Sequence, residues 1–519
     1  MRWFWVVLPC LWLGTVAAAL AQETEQLGPP KKAEGPVRGK IHKEVWDAAF
    51  LGGAQVGFAH HVFQEVKIGD RTYIEATSKL QLTLLRYGQQ LPLTFTVSNY
   101  ETPEGKVRSV LIEEGMSKEQ RIVRRGVVEG TQLRHIVQFG NNPPEEKRLP
   151  WNDEALGLLA QDELFQRRKI EPRSQFSFHR FEAVFDTVLT TQVQVKDYEM
   201  VTLLNGERRK LLRVELRMQK VKDFKPPEEV VWVDEKGEVL KRKLEMPGLG
   251  ELVTYRTNRT RATVRTGGAQ LDIGLTQQIP VNRAVFRFNE TSQVVYHVHL
   301  KNFEQPEKAF VADDGQAVKL LADNTLEIRV QGLRQPSRED RAAALPPPAE
   351  YLRSNHFLKA EDAAVKNLAQ RAVGRENDPW EKALRIERFV QTRMRNKNFT
   401  EAFATADQVA KTLEGDCTEH AVLAAAMCRA AGVPARTAVG LVHVPHQQRL
   451  SFHMWIEVWV GGKWFPLDPT LGGGRVGACH LKIIDHHWND EQSFTPLLPV
   501  VQLLGKLKVE MVEVKFPEE

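Results

Sequence analysis

The sequence predicts a multidomain protein, with N-terminal all-β domains built as an antiparallel meander or half-barrel, followed by an α+β domain. Three observations carry that prediction. Up to residue 265, strand-like runs alternate with turn residues. Beyond residue 346, helical stretches with recognisable caps take over. Between residues 415 and 470, three short segments rich in Cys, His, Asp and Trp fall at a helix start and on the two strands of one hairpin.

The chain opens with Met1-Arg2, an apolar run from Trp3 to Leu13 and the small-residue stretch Ala17-Ala18-Ala19-Leu20-Ala21. This pattern reads as a signal peptide over 1–21, with Cys10 inside the discarded leader. No later segment has the roughly 18 apolar residues of a membrane span. Export is therefore expected, to the periplasm or the extracellular space if the source is bacterial. Residues 22–41, polar and rich in Pro, Gly and Lys, read as a flexible linker.

Residues 42–265 read as an antiparallel β domain. Arg71–Leu85, Leu91–Tyr100, Val107–Glu114 and Thr131–Phe139 are strand-like, and a helix is expected near Glu154–Arg167. Leu212, Val214, Leu216 and Met218 alternate with Arg213, Glu215 and Arg217 after an Asn205-Gly206 turn, the pattern of a half-buried strand. Val230–Val233 and Val239–Leu244 form a further hairpin. Such a sheet could cradle a ligand, present a substrate or act as a spacer. His60 and His61 are adjacent on a strand and point to opposite faces, which disfavours a shared metal. The basic triplets Arg208-Arg209-Lys210 and Lys241-Arg242-Lys243 are interleaved with acids and read as solvated faces.

Residues 266–345 read as a small β module with strands at Ala284–Phe288, Gln293–Leu300 and Thr325–Val330, and Pro346-Pro347-Pro348 as a stiff joint. The α+β domain spans 346–505, and 506–519 is expected as a C-terminal tail. Glu361–Val373 and Pro379–Met394 are helical, the latter capped by Asp378, and Thr405 with Gln408 forms a capping box. Composition is that of an ordinary globular chain, with 42% apolar and 26% charged residues. The formal charge of +5, or 5 − 1 = +4 without Arg2, is too small to suggest nucleic acid.

The chemistry concentrates in Gly415-Asp416-Cys417-Thr418-Glu419-His420, Ser451-Phe452-His453-Met454-Trp455-Ile456-Glu457 and Trp464-Phe465-Pro466-Leu467-Asp468-Pro469-Thr470. Residues 418–431 have high helix propensity, Gly432 suits the position after the helix, and Asp416 with Glu419 makes a capping box. Cys417 then sits in a first turn, where free N–H groups and the helix dipole favour a thiolate and can hold an oxyanion. The second and third segments form one hairpin about Gly461-Gly462. Pairing Val460 with Lys463 puts His453 and Asp468 on one face, diagonal to each other and within reach. Cys417, His453 and Asp468 are the expected nucleophile, base and orienting group. Asp416, Trp455, Glu457 and Trp464 are expected to support them.

These motifs resemble the transglutaminase-like superfamily, whose core is related to papain-like cysteine proteases and peptide N-glycanases. Cys417, His453 and Asp468-Pro469 fill its Gly-x-Cys, His-aromatic and Asp-Pro positions over roughly residues 350–500. The resemblance implies a papain-like α+β fold and acyl transfer from amide bonds of a protein or peptide substrate, for example one of the cell envelope. An amine acceptor would make the enzyme a cross-linking one; water would make it a peptidase or deamidase. A non-catalytic cell-envelope binding or scaffold protein is the alternative from another class. No cofactor and no metal are expected: Cys479-His480 and Asp485-His486-His487 lack zinc-ligand spacing, and the family commonly places a strand there. A Cys428–Cys479 disulfide would spare Cys417 and is the less favoured state of those thiols.

Overall fold

In the computed structural model, the described residues are 36–115, 121–139, 143–183, 185–221, 224–246, 248–264, 272–322, 324–343, 349–397, 399, 403–489 and 495–517. The expected signal peptide, residues 22–35 of the linker, the Pro346–Pro348 joint and the junction at 265/266 lie outside them. The chain divides after Asp272 into two units.

The described residues of the N-terminal unit form one antiparallel sheet of fourteen strands. They are β1 (Val37–Leu51), β2 (Ala54–Ile68), β3 (Arg71–Arg86), β4 (Gln89–Glu101), β5 (Val107–Gly115), β6 (Arg121–Glu129), β7 (Gln132–Phe139), β8 (Glu145–Pro150), β9 (Gln175–Glu182), β10 (Thr187–Thr202), β11 (Arg208–Met218), β12 (Glu229–Val233), β13 (Val239–Met246) and β14 (Gly250–Thr257). Strands β1–β8 form one meander and β9–β14 a second, and the two join where β1 pairs with β14. The expected linker residues 37–41 already belong to β1. The helix expected near Glu154–Arg167 is two short ones, α1 (Leu158–Asp162) and α2 (Leu164–Arg168). Glu101 holds the start of α1, accepting Leu159 N at 2.7 Å, and Asn99 Oδ1 accepts Leu158 N. Burial pushes the Glu101 carboxyl up to about 7.

The sheet is strongly curved. Residue 156 bonds to His179 of β9 and bridges to Lys106 beside β5, although those strands lie far apart in the sheet order. At about 4.8 Å per strand a flat sheet would hold them tens of ångströms apart. Leu164 and Phe165 of α2 pack on the concave side against Phe178, Val193, Val214 and Val231.

The described residues of the C-terminal unit form two sheets. β16 (Gln293–Leu300), β17 (Gln316–Ala322), β18 (Thr325–Gln331) and β23 (Leu507–Lys515) make one, in the order β17-β18-β16-β23. Residues 506–519, expected as a tail, therefore supply an edge strand. Val509 and Met511 point into the core while Lys508 and Glu510 face out. Ala284–Phe288, expected as a strand, is irregular; the Val285 N–H donates to the side chain of His443 at 3.2 Å and so joins no ladder.

The second sheet runs β15 (Ile279–Pro280), β20 (Arg449–Val460), β19 (Ala435–His443), β22 (His480–His486), with β21 (Lys463–Leu467) paired to β20. Against it pack α4 (Pro379–Arg393) and α6 (Cys417–Ala430), and α3 (Ala363–Val373) and α5 (Ala406–Thr412) pack in turn on α6. The caps follow the sequence: Asp378 accepts Glu381 N, and Thr405 and Gln408 form the box that starts α5. Residues 418–429 of α6 are all buried, so its sides are enclosed and its N-terminus is left to do chemistry. None of the described helices is long and apolar enough to cross a membrane.

Candidate active site

Gly415 has φ 139°, and a Cβ there would lie 2.4 Å from Glu419 Cβ, so the turn into α6 requires glycine. The capping box then forms: Asp416 Oδ1 accepts Thr418 N at 2.8 Å, Asp416 also takes the Glu419 N–H, and Glu419 Oε2 accepts Asp416 N at 3.1 Å. His420 Nδ1 lies 2.7 Å from the Asp416 carbonyl and donates to it. These bonds use the N–H groups of the second and third helical residues. The N–H of Cys417 has no acceptor among the described residues, and its side chain is the partly exposed one in this turn.

The β20–β21 hairpin has the predicted register, Val460 opposite Lys463 and Trp459 opposite Trp464. Pairing ends at Ile456 opposite Leu467, so Asp468 leaves the ladder one residue later and turns toward His453. His453 Nε2 lies 2.7 Å from Asp468 Oδ2, both buried. Asp468 Oδ1 accepts Thr470 N at 2.8 Å and Leu471 N at 3.0 Å, an Asx turn that fixes the carboxylate plane. Asp468 is held well below the usual carboxylate range: burial opposes its charge, and the His453 and His480 imidazoles outweigh it. Burial likewise works against a charged His453, but Asp468 and the Cys417 side chain, to which His453 is also hydrogen-bonded, push it up to about 10. The structure thus brings Cys417, His453 and Asp468 together.

Two side chains and one glycine that the sequence did not assign to the site complete the surroundings. His480, at the start of β22, places Nε2 3.0 Å from the same Asp468 oxygen. Glu387 of α4 accepts Asp468 N at 3.2 Å and Gly474 N at 2.9 Å. Burial, and then the Asp468 charge, push the Glu387 carboxyl up to about 8. A signal for Glu387 existed, since a charged residue on the Trp380, Ala383, Val390 stripe of an amphipathic helix is out of place. Gly440 was also missed; a Cβ there would strike the Leu481 carbonyl at 2.1 Å and Trp455 Cη2 at 2.8 Å.

Of the residues expected to support the triad, Asp416 caps α6 and Trp455 packs beside His453 and edge-on to His480. Glu457 and Trp464 lie elsewhere. Glu457 belongs to a buried ion cluster, 2.6 Å from Arg436 Nη2 and 2.6 Å from Lys482 Nζ, and Asp485 pairs with the same two cations. Asp313 also binds Lys482. Trp464 lies under Arg436, 4.2 Å from guanidinium carbon to ring centre. The two stretches of period-2 sequence run past the site into this cluster.

Two groups of described residues each bring three side chains able to ligate a metal within 4.8 Å of one another: His453, Asp468 and His480, and Asp313, Glu457 and Asp485. In the first the donors are spent on each other, and in the second Arg436 and Lys482 already balance the carboxylates. Cys428 and Cys479 are free buried thiols, and burial raises both above the ordinary thiol range.

A cysteine at a helix start, facing a sheet that carries an Asp-bound His, defines a cysteine-enzyme-like core of the papain type. Residues 366–469 match the Transglutaminase-like superfamily, so the C-terminal unit contains a transglutaminase-like domain. No curated protein matches the chain. Among solved structures, a candidate cysteine protease from Cytophaga hutchinsonii is similar at 15% identity over 43% of this chain and 90% of its own, with a TM-score of 0.30. A β-barrel-like protein from Brucella abortus, of a domain of unknown function, covers 43% of this chain and 98% of its own at 12% identity and a TM-score of 0.30. The periplasmic domain of TgpA from Pseudomonas aeruginosa covers 40% and 94% at 14% identity and a TM-score of 0.23. At these scores the likenesses carry no functional argument.

Proposed function

We propose that the protein is an exported cysteine acyl-transfer enzyme acting on amide bonds of protein or peptide substrates, with Cys417 as nucleophile, His453 as base and acid, and Asp468 as orienting group. The observation that carries this reading is the buried 2.7 Å contact of His453 Nε2 with Asp468. It commits one ring nitrogen and leaves Nδ1 for the thiol at the α6 N-terminus.

In the proposed cycle the thiol proton already rests on His453 Nδ1 as a thiolate–imidazolium pair, and Sγ attacks the substrate carbonyl. The oxyanion forms beside the Cys417 N–H, where the helix dipole also favours negative charge. Collapse breaks the C–N bond, His453 returns its proton to the leaving nitrogen, and a thioester on Cys417 remains. An amine or water, deprotonated by His453, then releases the acyl group and restores the thiolate–imidazolium pair. Export rests on the leader-like pattern of residues 1–21.

The test is mass spectrometry of glutamine-containing peptides incubated with the protein, with and without a primary amine. An amine-adduct mass identifies cross-linking, a deamidated mass hydrolysis of the side-chain amide, and fragments peptidase action. Unchanged peptides, together with no alkylation of Cys417 in preference to Cys428, would overturn the enzymatic reading.

A further inference from the structure

The concave side of the N-terminal sheet encloses a cavity of about 320 Å³ between the strands and helices α1 and α2. A second of about 180 Å³ shares Arg180, Leu216, Glu229, Arg242 and Leu244 with it. The larger volume falls in the range of small-molecule sites, roughly 300–1,000 Å³. Residues of β1–β4 and of β9 and β11–β14 line it together, which the strong curl of the sheet makes possible.

Much of its wall is apolar and aromatic, including Phe63, Leu80, Val97, Phe165 and Phe178. Its charges gather around the second-meander strands. Three arginines, Arg180, Arg242 and Arg256, face three carboxylates, Asp47, Asp162 and Glu229, whereas Lys241 turns its ammonium to the opposite face of β13, over the Trp232 and Tyr255 rings. Their pairing is uneven. Asp47 is taken by Arg256 at 2.8 Å and also approached by His61 at 3.3 Å, and Asp162 is bound by Lys43 at 2.7 Å. Glu229 is shared, in direct contact with Arg242 and 3.7 Å from Arg180, which also lies 3.8 Å from Glu182.

Arg242 is the side chain that decides the reading. Its sequence neighbours suggested a solvated face, yet it lines both cavities while its side chain keeps 47% exposure. A guanidinium lining a chamber in this way offers its remaining N–H donors to the chamber's contents rather than to a protein partner.

We propose that this cavity binds an amphiphile with one anionic head group and a single apolar chain, the head on Arg242 and Arg180 and the chain along the wall from Phe178 toward Phe63, Leu80 and Val97. The donors that Arg242 turns to the chamber suit a single anionic group, and the aromatic wall suits a hydrocarbon chain better than a sugar or a peptide backbone. The site lies wholly within the N-terminal unit and does not depend on the proposed chemistry at Cys417.

The experiment is calorimetric titration of the full-length protein with laurate, dodecyl phosphate, dodecanol and dodecylamine. Saturable binding of one laurate per chain is expected, with the alcohol and the amine weaker by about 10–100-fold, the value of a charge-assisted hydrogen bond. The arm with dodecyl phosphate separates a carboxylate head from a phosphate head. Arg242→Gln should lose about the same factor for both anions, Arg242→Lys should recover part of it, and Val97→Phe, which fills the apolar end with the arginines untouched, should block chain entry. Equal binding of the amine and the anions, unchanged affinity in both Arg242→Gln and Val97→Phe, or no binding of any of the four would overturn the proposal.

Discussion

Asp468 accepts from four donors: Thr470 and Leu471 N–H on one oxygen, His453 and His480 imidazole N–H on the other. Such a carboxylate has no room for a proton, and its charge is what raises His453. Activity that depends on a protonated His453 should therefore persist to an alkaline limb near 10. Asp468→Asn should move that limb down toward the ordinary imidazole value and lower turnover by about 10–10⁴-fold. A pH profile of kcat/KM for both proteins checks it; an unmoved limb would assign it to another group. Cys417→Ala should abolish acyl transfer with the circular dichroism spectrum retained, because Ala is a good helix former and the Asp416 cap survives. His480→Phe keeps the aromatic edge against Trp455 but removes one donor from Asp468. A turnover loss smaller than that of His453→Ala is expected, with the alkaline limb displaced.

The elements around the triad carry their own signatures. Glu387 anchors the segment after β21 to α4, and in the folded chain its carboxyl holds a proton up to about 8 rather than 4.5. The folded state thus binds this proton more tightly than the unfolded one, so its contribution is complete below about pH 4.5 and is lost as pH rises through about 8. Glu387→Gln should remove that slope: relative to wild type its stability should rise across the window, by about 2–5 kcal/mol at the alkaline end. Chemical denaturation at several pH values measures it, and parallel curves for the two proteins would reject a neutral Glu387. In the neighbouring ion cluster, Glu457→Ala strips Arg436 and Lys482 of a buried partner and should cost about 3–5 kcal/mol. If melting were unchanged while activity fell, Glu457 would act on substrate instead of on the sheet.

At the scale of the whole molecule, the last strand closes the four-stranded sheet of the C-terminal unit. Truncation after Gly505 removes β23 from β16 and takes Val509 and Met511 out of the core. The loss should be about 3–6 kcal/mol from the side chains alone, before the unpaired edge of β16 is counted. A thermal melt of the truncated chain that matched the full one would show residues 506–519 to be the dispensable tail that their position suggested.

The sequence by itself determined what depends on neighbours within a few residues. Caps at Asp378, Thr405 and Asp416, the glycine turn at Gly461-Gly462 and the register that puts Val460 opposite Lys463 follow from local geometry. The placing of Cys417 at a helix start and of His453 and Asp468 on one side of one hairpin follows in the same way. Tertiary structure alone decided the contacts made across large separations in the chain. Glu387 reaches Asp468 from another helix, and His480 arrives from a strand beyond the hairpin. Glu457 shares a strand face with Trp455 yet faces Arg436 and Lys482, brought by β19 and β22. Arg242 in its basic triplet looked like surface until the curl of fourteen strands turned its face inward. Period-2 alternation says which residues share a face, but which side of a sheet is inside is set by the sign of its curvature, and that belongs to the assembled sheet and not to any one strand.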